Sequence, residues 1–362
     1  MGDCLAGLSL RSVSKRFGKV DALRDVTVEV ESGEFTVVLG PSGCGKSTLL
    51  RLIAGLDTPT VGEIYIDGDR VDVVPPGARG VAMVFQRFAL YPHMTVYQNM
   101  AFGLNNLGDA GGAVDQKITS VAQTMEVAHL LDRRPHQLSR SQAQRVAIGR
   151  AMVKQPKIFL FDEPMSSLDA AIRARMRIEL ARLHQRMAST ILFTTQDQME
   201  AMTMATRLIV MNQGRVEQAG TPTEVYRRPR SRFVAGFVGS PGMNFLPITS
   251  ADAHGGRLRV RMTDGTVIDT GLPEAAMRGM GPLTLGVRAE HVHAGGGAPA
   301  RVDVIERLGD RTLIYALLND SSTIVYDEPG DPGVSIGDRV ELTINGAEVH
   351  LFDATGRAYH AG

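Results

Sequence analysis

One segment limits the folds open to this chain more than any other: Gly40-Pro41-Ser42-Gly43-Cys44-Gly45-Lys46-Ser47, with Thr48 behind it. It follows the apolar run Phe35-Thr36-Val37-Val38-Leu39 and leads into Leu49-Leu50-Arg51-Leu52-Ile53-Ala54. The order is therefore buried strand, glycine-rich turn, amphipathic helix. Such a turn cradles phosphate, because glycines let successive backbone N–H groups converge on an anion and the helix N-terminus adds partial positive charge. The pattern predicts that Ser42, Gly43, Cys44, Gly45 and Thr48 line nucleotide phosphates, that Lys46 reaches the β- and γ-phosphates, and that the Ser47 hydroxyl ligates Mg²⁺.

At 362 residues the chain is long for one core, and 43% hydrophobic residues suffice for two. With 39 basic and 39 acidic residues the formal net charge is zero, so no bulk field draws the chain to nucleic acid or to an anionic membrane. The two cysteines, Cys4 and Cys44, have neither metal-ligand spacing nor the makings of a disulfide framework, which fits a reducing compartment. The first residues lack a basic-then-apolar signal pattern, and no stretch approaches about 18 consecutive apolar residues. The expectation is a chain neither secreted nor membrane-spanning.

Before the phosphate loop, Leu8 to Val13 and Val26 to Val30 alternate and read as antiparallel strands. After it come strands over Gly62 to Gly68 and Val81 to Phe85, then a helical stretch from about 95 to 150 broken at Gly108 to Gly112 and at Pro135. Strands at Lys157 to Phe161 and Thr190 to Thr194 flank a helix from Asp169 to Gln185, a βαβ arrangement on a mostly parallel sheet. Past Phe237 the texture changes to short strands with frequent glycine: 257–262, 267–269, 283–287, 302–308, 312–318 and 339–344. That spacing indicates a small barrel or sandwich. The turn Gly239-Ser240-Pro241-Gly242 marks the expected boundary, giving domains 1–238 and 239–362.

Ile158-Phe159-Leu160-Phe161-Asp162-Glu163 is an apolar strand ending in two acids, and a parallel sheet presents ligands at its carboxyl edge. Alone it describes any solvated strand end. Beside a phosphate loop it supplies what phosphoryl transfer needs: Asp162 to hold Mg²⁺ and Glu163 to take a proton from an attacking water.

With these residues in view, the chain resembles the ATP-binding subunits of ABC transporters, in particular sugar importers of the MalK type, nearly from end to end. The resemblance implies an α/β P-loop NTPase cassette with a helical subdomain, followed by a small all-β, oligonucleotide-binding-like (TOBE) regulatory domain. Val84-Phe85-Gln86 through Val96 match the family's Q-loop, in which Gln86 senses Mg²⁺ and the γ-phosphate and the segment around Phe88, Ala89, Leu90, Tyr91 and Met94 meets the membrane subunit. Phe161 to Ala170 match the second nucleotide motif and the D-loop, with Asp169 crossing a dimer interface. Phe17 stands where the family stacks an aromatic on adenine. Gly286-Val287-Arg288-Ala289-Glu290-His291-Val292 and Val304 to Gly309 resemble stretches of the regulatory domain, most of whose charged side chains are expected on an exposed barrel face. The implied partners are a second copy of the chain, two membrane-spanning permease subunits and, indirectly, an extracellular solute-binding protein, with no nucleic acid. The implied location is peripheral, on the cytoplasmic face of the cell membrane.

Two places depart from the family pattern. Its signature loop, Leu-Ser-Gly-Gly-Gln, here reads Leu138-Ser139-Arg140-Ser141-Gln142. Ser139 and Gln142 keep their expected role toward the nucleotide of the opposing subunit, but side chains replace the glycines that permit close backbone approach. In Thr194-Thr195-Gln196-Asp197-Gln198, Gln196 occupies the place of the family's switch histidine; an amide donates hydrogen bonds but carries no proton. The residues leave open full ATP hydrolysis, strongly reduced hydrolysis and ATP binding alone. They also leave the solute open among sugars, glycerol phosphate or a phosphodiester, and polyamine or iron. A soluble ATPase of DNA repair or translation is disfavoured by the neutral charge and the lack of a coiled-coil insertion.

Overall fold

The computed structural model describes residues 6–85, 89–105, 111–166, 168–187, 189–274 and 282–361. The chain divides into two compact units, one ending at Pro222 and the other beginning at Thr223. In the first, β1 (Leu8–Phe17), β2 (Val20–Val30), β3 (Phe35–Leu39) and α1 (Lys46–Ala54) lead to β4 (Val61–Ile66), β5 (Asp69–Arg70) and β6 (Val81–Val84). Helices α2 (Val96–Asn105), α3 (Gly111–Thr124) and α4 (Arg140–Met152) follow. The unit closes with β7 (Ile158–Asp162), α5 (Ala170–Met187), β8 (Thr190–Thr195), α6 (Gln198–Met204), β9 (Arg207–Asn212) and β10 (Arg215–Gly220).

The central sheet runs in the order β10-β9-β3-β8-β7-β6, parallel except for β10. β3 is buried at all five positions, as a parallel strand covered on both faces must be. A second, antiparallel sheet, β2-β1-β4-β5, turns Leu8, Leu10, Val26 and Val28 toward Leu49, Leu50 and Ile53 of α1, and α1 also packs on Leu160 and Leu192 of the central sheet. In the helical stretch, Val96, Met100 and Leu104 of α2 are buried at helical spacing. Gly149 of α4 lets Met100 come close, since a Cβ there would lie 3.1 Å from its Cε. The parallel sheet, the helical stretch and the N-terminal strands follow the sequence expectations.

The second unit begins within α7 (Pro222–Arg227), continues through α8 (Arg232–Phe237) and then is all strand: β11 (Asn244–His254), β12 (Arg257–Met262), β13 (Val267–Pro273), β14 (Thr284–Val287), β15 (Val292–Arg307), β16 (Arg311–Leu318), β17 (Thr323–Pro329), β18 (Arg339–Ile344), β19 (His350–Phe352) and β20 (Ala358–Tyr359). Two antiparallel sheets, β13-β12-β11-β14-β19-β20 and β17-β16-β15-β18, share a core of Leu246, Val260, Leu285, Val302, Ile314, Tyr326 and Leu351. In this unit β11, β17, β19, β20 and the first half of β15 escaped the sequence reading, which placed a strand over 302–308, and for β11 and β15 the reason is identifiable. β11 contains Pro247, a residue that usually argues against a strand. β15 is broken in pattern by Gly295, Gly296 and Gly297, which loop out with positive φ while Leu342 stays opposite both Ala294 and Ala298.

The second unit includes residues 223–238, which the composition grouped with the nucleotide domain. Arg288 holds them there. It is 3% exposed, donates from Nη1 to Val238 O at 2.8 Å and from Nη2 to Tyr226 O at 2.7 Å, and lies 3.6 Å from the Tyr226 ring centroid. Burial pushes this guanidinium down, while burial and the hydrogen bond that the Tyr226 hydroxyl donates to Glu290 Oε1 at 2.6 Å push the Tyr226 phenol up to about 12. The expectation of an exposed charged stretch fails at Arg288 because two backbone carbonyls take its Nη1 and Nη2 donors and an aromatic face covers the buried cation.

His350 and His360 meet at 2.8 Å between their Nδ1 atoms. Burial, then the neighbouring His360, Arg288 and His291, push His350 down to about 3, and burial followed by Arg228 lowers His360. An unfolded imidazole near pH 6.5 binds a proton that the folded pair refuses, so folded-state stability falls as pH drops below that value, by about 1.4 kcal/mol per pH unit for His350 alone. Calorimetric unfolding of the full chain at pH 7.5 and 5.0 should show the 223–361 unit weakened at the lower pH. His350→Asn should flatten that dependence; a transition equally stable at both pH values in the unaltered chain contradicts it.

Candidate functional site

The phosphate loop forms the turn between β3 and α1. Gly45 sits immediately before α1 in the left-handed region, φ 108°, and a Cβ on it would lie 2.7 Å from Ala22 O and 2.7 Å from Leu23 Cδ2. Gly43 is also left-handed, φ 77°, but a Cβ there meets nothing within 4 Å. Lys46, 4% exposed, folds back beneath the loop: its Nζ lies 2.9 Å from Gly40 O, 3.0 Å from Pro41 O and 3.2 Å from Glu163 Oε1. Cys44 is 3% exposed and burial pushes its thiol up, so the side chain belongs to the interior and only its backbone faces the loop.

The two acids arrive at the carboxyl end of β7, next to β8, with Asp162 opposite Thr194. Ser47 Oγ donates to Asp162 Oδ1 at 2.9 Å, which brings the two expected metal ligands together. Glu163 takes a left-handed φ of 42°, unusual for a side chain of its size, at the point where strand becomes loop. Gln196 Nε2 lies 3.0 Å from Glu163 Oε1 and 3.2 Å from Oε2, so its amide grips the carboxylate directly. An open cavity between loop and acids is lined by Asp21, Arg24, Lys46, Ser47, Glu163 and Gln196 among others, and Ser42, Gly43, Gly45 and Thr48 also border it.

The remaining expected residues lie elsewhere. Phe17, at the end of β1, is 47% exposed with Lys15 Nζ 4.7 Å from its ring centroid. Ser139 and Gln142 satisfy each other: Gln142 N donates to Ser139 Oγ at 3.3 Å and Ser139 N donates to Gln142 Oε1 at 2.9 Å, a capping box that starts α4 at Arg140. Asp169 accepts from Ile172 N at 2.9 Å before α5. Gln86 and Phe88 lie outside the described residues. Of the segment beside them, Ala89 O accepts from Arg150 Nη1 at 2.8 Å, and the Tyr91 ring sits 4.6 Å from that of Phe102.

Three supports were invisible in sequence. Thr194 is fully buried and its hydroxyl touches both acid residues, yet it belongs to a β-branched run that reads only as strand. Asn99, also fully buried, accepts from Tyr91 N at 2.8 Å and donates to Thr95 O at 2.9 Å, fixing the loop ahead of α2. Arg173 on α5 reaches Asp197 at 3.0 Å and Leu168 O at 3.0 Å, tying the turn before α5 to the one that carries Gln196. Thr195 Oγ1 donates to Glu200 Oε2 at 2.5 Å, and burial pushes that carboxyl up.

The glycines differ in a way that can be measured. Gly43→Ala meets only the backbone penalty for left-handed φ, about 1–2 kcal/mol. Gly45→Ala adds a clash with a backbone carbonyl that cannot move without shifting β2. Thermal midpoints should therefore fall in the order unaltered, Gly43→Ala, Gly45→Ala. Equal midpoints for the two variants contradict the packing described.

Comparison with known proteins follows the same division. Residues 23–166 match the family model described as ABC transporter, and residues 285–352 match the TOBE domain. The alpha-glucoside transport ATP-binding protein AglK of Rhizobium meliloti (strain 1021) is 44% identical over 99% of this chain and 100% of its own length. The sn-glycerol-3-phosphate import ATP-binding protein UgpC of Cupriavidus necator is 47% identical over 96% of this chain and 97% of its own. The maltose/maltodextrin import ATP-binding protein MalK of Vibrio vulnificus (strain YJ016) is 42% identical over 98% and 97%. A dimeric ATP-binding cassette solved in a post-hydrolysis state with ADP and phosphate superposes with a TM-score of 0.54 at 31% identity, over 59% of this chain and 98% of that one. Among the described residues no helix is long and apolar enough to cross a membrane.

Proposed function

The chain belongs to the ATP-binding subunits of ABC transporters, and from that premise we propose that it hydrolyses ATP to drive import of a sugar or a related solute such as glycerol phosphate or a phosphodiester. The observation that carries this reading is the meeting of Lys46, Ser47, Glu163 and Gln196 around one cavity, with Asp162 hydrogen-bonded to Ser47. Lys46 binds the β- and γ-phosphates, exchanging the oxygens of Gly40, Pro41 and Glu163 for theirs. The loop amides and the N-terminus of α1 hold the phosphate chain, and Phe17 offers a π face to adenine. Glu163 accepts a proton from the attacking water, while Gln196 orients that carboxylate through its two hydrogen bonds.

The donor set fits Mg²⁺: Ser47 Oγ and Asp162 Oδ1 are both oxygens, 2.9 Å apart at the mouth of the cradle, and Gln86 is the third proposed ligand. When bound, Mg²⁺ supplies charge neutralisation on the phosphates. Ser139, Gln142 and Asp169 serve the nucleotide of a second copy, in a homodimer that sandwiches two ATP molecules. The Ala89–Met94 segment docks a membrane-spanning permease subunit, one of two in the importer, and places the chain peripherally on the cytoplasmic face. A solute-binding protein acts on it only through those permeases.

Co-purification of the chain with two permease subunits, and solute-stimulated ATP turnover of that assembly, test the reading. Lys46→Ala should weaken nucleotide binding itself. Glu163→Gln should leave binding nearly intact and lower turnover by about 10² to 10⁴-fold, the usual size of a general-base contribution. Equal loss of affinity for a fluorescent ATP analogue in both variants contradicts the assignment.

A second reading, ATP binding with strongly reduced hydrolysis, is favoured by one observation: the switch position holds an amide, and the signature helix opens with Arg140 and Ser141. Interactions made mainly in the transition state alter turnover more than affinity. On this reading the triple replacement Arg140→Gly, Ser141→Gly and Gln196→His raises turnover by about tenfold or more, about 1.4 kcal/mol on the barrier, with little change in KM. A triple variant no faster than the unaltered chain removes this reading.

A further inference from the structure

The acids at the end of β7 are held by a residue on the next strand. Thr194 is fully buried, and its Oγ1 lies 3.1 Å from Asp162 Oδ1, 3.3 Å from Phe161 O and 3.0 Å from Glu163 N. The hydroxyl accepts the Glu163 N–H and offers its one proton toward Asp162 and Phe161. Two functions therefore meet at one oxygen. Asp162 Oδ1 is the same atom that receives the Ser47 hydroxyl, so Ser47 of the phosphate loop and Thr194 of β8 hold one carboxylate oxygen between them. The Glu163 N–H bond pins a residue whose φ of 42° lies outside ordinary strand geometry, and that turn of the backbone aims Glu163 at Lys46 and Gln196. Strand propensity does not require a hydroxyl here. Valine has the same shape and suits a buried parallel strand as well.

We propose that Thr194 is a positioning residue for the reaction: its hydroxyl sets the metal-holding carboxylate of Asp162 and the proton-accepting carboxylate of Glu163 relative to each other, and without it both lose register. The inference rests on the ATPase reading of this site. Displacement of a reacting group by about 1 Å can cost about 10²-fold in rate. Because the hydroxyl does not approach the phosphate loop's own carbonyls or amides, its loss leaves affinity for metal-free nucleotide nearly untouched.

The test compares Thr194→Val, Thr194→Ala and Thr194→Ser in the full chain, with folding checked by circular dichroism. Turnover and KM for ATP are measured alongside Mn²⁺ affinity in the presence of a non-hydrolysable ATP analogue, read by electron paramagnetic resonance. The valine and alanine variants should lose about 10- to 100-fold in kcat, bind Mn²⁺ several-fold more weakly, and raise KM for the metal–ATP complex by no more than that same several-fold factor. Serine, which keeps the hydroxyl, should restore kcat and Mn²⁺ affinity. A valine variant that keeps kcat and Mn²⁺ affinity within about twofold of the unaltered chain overturns the proposal, as does a loss that serine does not rescue. Failure of the ATPase reading looks different: the unaltered chain then neither binds the analogue nor turns ATP over. If it binds the analogue without turnover, the Mn²⁺ measurement alone decides.

Discussion

The structure of the nucleotide unit turns on one buried cation. A Lys46 ammonium 4% exposed to solvent is costly unless oxygens surround it, and three do: two carbonyls from its own loop and one carboxylate from the end of β7. The loop that carries those carbonyls then turns through the left-handed Gly43 and Gly45 into α1. The carboxylate arrives only because β3 and β7 flank β8 in a parallel sheet whose carboxyl ends share one edge. Order of strands, their parallel direction and composition of the loop thus converge on the same requirement. An anion that enters the cradle finds the cation already in place, attached to groups that can release it.

What the sequence made legible was whatever is encoded in short, local patterns. The phosphate loop announces itself because glycine, lysine and hydroxyl spacing are all dictated by close backbone approach. The acids at Asp162 and Glu163 read through strand polarity. Thr194, Asn99 and Arg173 did not, since each acts on residues brought near by the fold: Arg173 meets Asp197, and Thr194 serves residues 31 and 32 positions away. Ser139 and Gln142 show a different limit. Their spacing matched a nucleotide-contacting loop, and the same spacing is what a capping box needs, so one pattern satisfies two physical demands. The β11 strand and the first half of β15 were obscured because proline and a triple-glycine bulge erased the two-residue alternation that marks a strand.

In the C-terminal unit, resemblance and packing give the same motif different emphases. The stretch from Gly286 to Val292 matched family residues without declaring a task. Its arginine binds Tyr226 and Val238 through their carbonyls, and Gly239 has no Cβ because one would stand 2.4 Å from Arg288 Nη1. The motif is thus a staple for the segment 226–239, and its conspicuous charge serves packing rather than display.

Gln196 concentrates the tension between family pattern and this chain's own chemistry. Its amide gives both carboxylate oxygens of Glu163 a hydrogen-bond donor, which orients the proposed base. An imidazole can also hold or pass a proton, and an amide cannot. Orientation and proton handling, joined in the family's histidine, are therefore separated here. Orientation is shared among Gln196, Lys46 and the Thr194 hydroxyl, while any proton taken by Glu163 must leave without help from residue 196. The cavity beside Glu163 is open to solvent, which provides such a route through water. With Glu163 as the proposed base, such a site would depend more on the rigidity of its carboxylates than on the switch side chain, and Thr194 of β8 is hydrogen-bonded to both acid residues.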